Sequence, residues 1–191
     1  MRKAALAALM TASLPFLLSG CAGVPSPDES AAEIQNFFSL ADTVTFTADI
    51  TADYGERVYD YGISYKSGRD GGTVTILSPD EISGICVEYS GDGASVSYDG
   101  AEVFTGEIIP DGLSPVDAVP VMEKAWREGL ITESVSEKVG GEECIASVFR
   151  IEDDIFLRTW FGKESFLPVR AEIVNGGYTV ITGTFYDVTA E

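Results

Sequence analysis

Val44-Thr45-Phe46-Thr47-Ala48-Asp49-Ile50-Thr51 alternates apolar and polar residues over eight positions without a break. A period of two is that of a strand with one face on a core and the other in water. Outward from this stretch the same pattern returns between turn signals. Asp53-Tyr54-Gly55 leads into a strand carrying Tyr59, Tyr61, Ile63 and Tyr65, and Gly68 to Gly72 forms a loop before Val74 and Ile76. Ile85, Val87 and Tyr89 mark a further strand. Gly91-Asp92-Gly93 then punctuates a hairpin into Val96 and Tyr98, and Asp99-Gly100 precedes a short strand at Glu102 to Thr105. Strand-like runs resume at about Ile131 and continue at Cys144 to Ile151, Ile155 to Phe161, Leu167 to Val174 and Tyr178 to Val188.

Two helices interrupt or precede these strands. Asp28 or Ser30 caps the first, which places Ile34, Phe37, Phe38 and Ala41 on one face. Ser114-Pro115-Val116-Asp117 supplies a cap, a proline at the helix start and an acid in the first turn of the second. Val119, Met122, Ala125 and Trp126 share its apolar face, and Gly129 ends it. Pro120 either splits this region into two short helices or delays its start. The expected class is α+β, mainly β: one large antiparallel sheet with an N-terminal helix and a central helical insertion.

The first twenty-one residues have a separate job. Arg2 and Lys3 precede an apolar run from Ala4 to Leu18, too short to be a comfortable permanent span. The ending Leu18-Ser19-Gly20-Cys21 resembles the bacterial lipobox, in which cleavage falls just before a cysteine that carries diacylglycerol. Residues 1–20 are therefore expected to be a lipoprotein signal peptide. Residues 21–29 form a lipidated tether and residues 30–191 a single domain. The resemblance implies covalent diacylglycerol on Cys21, with an N-acyl chain as an option, and a place on the outer face of the cell membrane, or at an outer membrane if there are two. More than one acyl chain matters, because one alone gives only marginal retention.

Composition removes several function classes. The chain has 191 residues, 12 Lys and Arg against 31 Asp and Glu, and a net charge of −19. Nucleic acid is not an expected partner, since nothing supplies the cationic stripe that phosphate neutralisation requires. There is no histidine, so histidine triads, histidine-ligated metals and imidazole proton shuttles are absent. With Cys21 taken by lipid, Cys86 and Cys144 remain. They are either a disulfide, which the extracytoplasmic address permits, or two buried thiols. Asp92, Asp99, Asp153 and Asp154 are the candidates for paired-carboxylate chemistry, but acids beside hairpin glycines are usually turn formers. No enzyme activity, metal or cofactor is expected.

The order of elements is similar to that of the LolA/LolB-like proteins. The residues that carry the resemblance are Phe46, Ala48 and Ile50; Tyr59 or Tyr61 through Tyr65; Leu77-Ser78-Pro79; and Ser97-Tyr98-Asp99-Gly100. Toward the C-terminus they are Leu167-Pro168-Val169-Arg170-Ala171-Glu172-Ile173 and Phe185-Tyr186-Asp187-Val188. This resemblance implies a strongly curved, incomplete β-barrel lidded by helices, whose apolar hollow takes the acyl chain of a lipoprotein or another apolar ligand. Among the aromatic residues, Phe46, Trp126, Phe156 and Trp160 are candidates to line such a cleft, with core packing as the alternative for each. Tyr59, Tyr61 and Tyr65 offer a second, exposed face. A non-catalytic accessory lipoprotein that binds an envelope, sporulation or signalling protein is the competing expectation.

Overall fold

A computed structural model of the chain describes residues 25–68, 71–91, 93–106 and 112–191. The eight-residue alternation lies in strand β1, Val44–Asp53, which is the spine of the molecule. It pairs antiparallel with β2 (Val58–Gly68) on one side and with the last strand, β11 (Tyr178–Ala190), on the other. From β2 an arm continues through β3 (Gly71–Ser78), β4 (Cys86–Ser90), β5 (Gly93–Tyr98) and β6 (Ala101–Gly106). From β11 the second arm runs back through β10 (Pro168–Asn175), β9 (Ile155–Gly162), β8 (Glu142–Arg150) and β7 (Leu130–Val139). The result is a single 11-stranded antiparallel sheet in the order β6-β5-β4-β3-β2-β1-β11-β10-β9-β8-β7. It is curved but not closed, because β6 and β7 remain edges.

Two helices cover the concave side. Helix α1 spans Pro27–Leu40 and begins earlier than the sequence pattern suggested. Its cap is Ser26, not Asp28 or Ser30. The Ser26 hydroxyl oxygen accepts from the Glu29 amide at 3.3 Å, while Glu29 Oε2 accepts from the Ser26 amide at 2.8 Å. This reciprocal box satisfies two helix-end donors at once, and Pro27 at the first position loses nothing because its missing N–H would be unpaired there anyway. Residues 27–29, expected as part of a tether, thus lie in helix α1. The buried face carries Ala31, Ile34 and Phe38.

Helix α2, Pro115–Glu128, bridges the two arms between β6 and β7. Ser114 caps it, accepting from the Asp117 amide at 3.2 Å. Contrary to the expectation of a split or a late start, the helix runs unbroken through Pro120. A proline leaves the carbonyl four residues earlier without its helical donor. Here that carbonyl belongs to Val116, and the Tyr89 hydroxyl from β4 donates to it at 3.1 Å. The sheet has filled the missing rung. Gly129 follows as the C-cap; a Cβ there would lie 2.6 Å from the Ala125 carbonyl oxygen.

Candidate functional site

The centre of the hollow is occupied by the protein's own rings. Trp126, fully buried on α2, has ring centroids of Phe38, Phe46, Phe161 and Phe185 within 5.4 to 6.0 Å at tilted or edge-on angles. Tyr65 stacks obliquely on Phe46 at 5.0 Å. The indole N–H donates to Thr159 Oγ1 at 2.9 Å, satisfying the one polar atom that Trp126 brings inside. Of the four residues expected to line a cleft, Phe46 and Trp126 are brought together, but as solid core rather than as the wall of a void.

Phe156 and Trp160 lie elsewhere, and the strand explains it. In β9, Ile155, Leu157, Thr159 and Phe161 point into the concave core, so Phe156, Arg158 and Trp160 point to the convex face. Trp160 packs there with Cys144 and Ala146. Arg158 sits over its ring at 4.8 Å and Arg170 at 5.8 Å. Glu137 accepts from both the Trp160 indole at 2.6 Å and Arg158 at 2.5 Å. The tyrosines divide as well: Tyr65 is buried, Tyr61 is half-buried and Tyr59 is exposed.

Cys86 and Cys144 are free thiols. Six strands separate β4 from β8 in the sheet. No disulfide geometry joins them across that distance. Burial pushes the Cys144 thiol up from its ordinary pKa. Asp99 sits in the β5–β6 turn with a positive φ of 48°, and Asp153 and Asp154 are exposed in the β8–β9 turn, so these carboxylates serve turns at separate places. Asp92 lies outside the described residues. Among the described residues no cluster of three metal-capable side chains occurs, and no helix is long and apolar enough to cross a membrane.

A buried ion pair is the feature that pattern reading missed. Glu123 and Arg127, one turn apart on α2, are in direct contact. Glu123 also accepts from Ser67 at 2.9 Å and from Tyr65 at 3.4 Å, both on β2. Arg127 donates to the Phe38 carbonyl at 2.9 Å and the Ala41 carbonyl at 2.6 Å, capping the end of α1. Burial, and next the nearby Glu123 charge, push the Tyr65 phenol far above its usual pKa. The pair ties α1, α2 and β2 into one cover. Its signal was the Glu-Lys-Ala-Trp-Arg spacing at 123–127, with Glu123 on the face shared by Val119 and Trp126.

Open volume lies along the two flanks of α2. On the β7 side is a cleft of about 490 Å³, lined by Val121, Ala125, Leu130, Arg150 and Ile151. On the β2–β5 side is one of about 680 Å³, lined by Leu40, Tyr65, Tyr89, Glu123 and Arg127, with glycines of the two hairpins. Pro120, Lys124 and Glu128 border both. Both volumes fall in the range of small-molecule sites.

The curved, unclosed antiparallel sheet with two helices is the half-barrel fold that the resemblance to LolA/LolB-like proteins implied. The fold is similar to that of an uncharacterized conserved protein from Thermus thermophilus, at 11% identity, with 85% of this chain and 88% of that one covered and a TM-score of 0.54. It is also similar to a LolA superfamily protein from Nitrosomonas europaea (12% identity, 88% and 94% covered, TM-score 0.48). A third similar structure is the Mycobacterium tuberculosis lipoprotein LppX (17% identity, 85% and 96% covered, TM-score 0.43). No family model matches the sequence, and no curated protein matches it.

Proposed function

We propose that the protein is a non-catalytic, extracytoplasmic binding protein, anchored by acyl chains on Cys21, that takes an acyl chain, a lipoprotein or another apolar ligand beside α2. The observation that supports this reading is the pair of open clefts along α2, beside a concave core filled by aromatic rings. Each methylene moved from water into such a cleft contributes about 0.8 kcal/mol before ordering costs, so a long chain needs only part of its length buried to be held. The anchor keeps the domain at the source of such ligands. Cys21 itself lies outside the described residues. Native mass spectrometry of the lipidated protein from its own membrane tests the reading. Co-purifying lipid is expected, and a uniformly bare protein counts against it.

A second reading rests on β6. Val103 and Phe104 are each 63% exposed on this edge strand, and Tyr98 before it is 49% exposed. An edge strand with apolar side chains is the usual substrate for pairing with an extended segment of another protein. An accessory role with an envelope protein follows if a pull-down recovers one stoichiometric partner without lipid and Phe104→Ser abolishes it.

A further inference from the structure

The smaller cleft carries a charge pattern at odds with the rest of the molecule. Its apolar surface comes from Pro120, Val121 and Ala125 on α2, Leu130 at the start of β7 and Ile151 after β8. Leu130 is 55% exposed, a large aliphatic side chain left facing water at the mouth. Lys124 and Arg150 also line this cleft, against a single acid, Glu128. In a chain with 31 acids and 12 bases, two cations and one acid around an apolar opening reverse the prevailing sign. Arg150 has no ion-pair partner among the described residues. Lys124 meets Glu128 only at 3.8 Å, with both side chains more than two-thirds exposed, a pairing that solvent makes weak.

The opposite flank differs. Its walls include the Glu123–Arg127 pair and the hydroxyls of Tyr65 and Tyr89. These groups offer a hydrocarbon chain polar atoms rather than apolar surface. Only the β7-side cleft suits a chain, and at about 490 Å³ it lies in the lower half of the usual range for ligand sites.

Building on the function proposed above, we infer that this cleft selects a single-chain amphiphile with an anionic head, a carboxylate or a phosphate ester. The chain lies on Val121, Ala125, Leu130 and Ile151. The head meets Arg150, whose planar fork fits two oxygens, and Lys124, which acts as a mobile point charge. The acidic remainder of the surface repels anions, so the anionic head is steered to this one end of the ligand site.

Photo-crosslinking of the full mature protein, held in phosphatidylcholine nanodiscs, tests the inference. The probes are diazirine-bearing palmitate, lysophosphatidylglycerol and lysophosphatidylcholine, mapped by peptide mass spectrometry. The two anionic probes are expected to label the segments around Val121 and Ile151 roughly tenfold more than the zwitterionic one, the ratio that one charge-assisted hydrogen bond supplies. The double variant Arg150→Gln, Lys124→Gln is expected to remove that excess while leaving the thermal midpoint in place. Val121→Trp, which fills the cleft, is expected to remove all labelling there. Equal labelling by the three probes, or an excess that survives the double variant, overturns the anionic-head inference and leaves acyl binding standing. Labelling on the Tyr65 and Tyr89 side instead overturns the assignment to this cleft. No labelling by any probe overturns the acyl-binding reading as well.

Discussion

The two arms of the sheet are built on different terms. In the arm from β11 to β7, the inner strands β8 and β9 are buried on both faces, and only the edge strand β7 lacks a buried residue. Leu157 and Phe161 point into the concave core, while Trp160 on the convex side is held between two arginines and Glu137. Along the other arm the cover thins. Ile63, Tyr65 and Val74 are buried, but every residue from Ala101 to Thr105 is exposed. Stability is therefore concentrated around Trp126 and the C-terminal arm. The β5–β6 hairpin contributes little and is free to meet something else. A half-barrel in this form has a more deeply packed half and a more open half, and its clefts follow helix α2.

The largest expected effect comes from emptying the packed half. Trp126→Ala removes the hub of the aromatic cluster and the partner of Thr159, and is expected to cost about 3–5 kcal/mol in denaturant unfolding. A loss below about 1 kcal/mol would mean that the interior is looser than its ring contacts indicate. Alkaline pH provides an intermediate effect. Burial first, and then the carboxylates of Glu123 and Asp117 respectively, raise the Tyr65 and Tyr89 phenols in the folded state above the ordinary value of 10.0. The unfolded chain therefore loses these protons first. Stability is expected to stay level up to about pH 10 and to fall as pH rises further, with a shallower fall in Tyr65→Phe. A pH titration of the unfolding midpoint reads the sign directly. The smallest effect belongs to the open half: Phe104→Ser is expected to shift stability by no more than about 0.5 kcal/mol. A greater cost would show that β6 is covered in solution and that the contrast between the arms is overstated.

Much of this architecture was legible from residue order. The alternation at Val44–Thr51 gives β1 its face, and Ser114-Pro115-Val116-Asp117 marks the start of α2 because caps are local chemistry. The Ser26-x-x-Glu29 box is equally local, but it falls within the stretch 21–29 expected as the tether. What was not legible depends on tertiary choice. In β9 the two parities carry Ile155, Leu157 and Phe161, or Phe156, Arg158 and Trp160. Both are rich in large apolar side chains, and only the paired arginines and Glu137 from β7 let the second set face outward. The fate of Cys86 and Cys144 depended on strand order across the whole sheet. Whether aromatic residues would line a void or fill it was a question of total volume, which alternation cannot answer. The clefts are bounded by residues such as Pro120 and Lys124, whose types alone mark nothing.

The junction between Tyr89 and the Val116 carbonyl has a mechanical consequence. A proline usually makes a helix a point of compliance, where bending starts. Here the weak point is spliced to the neighbouring strand, so α2 cannot swing away from β4 without leaving a carbonyl stranded at a cost of about 1–3 kcal/mol. The helix behaves as a crossbeam rather than a hatch. A chain held in the proposed site would slide along the β7 side of that beam, past Leu130 and Ile151, without the beam lifting.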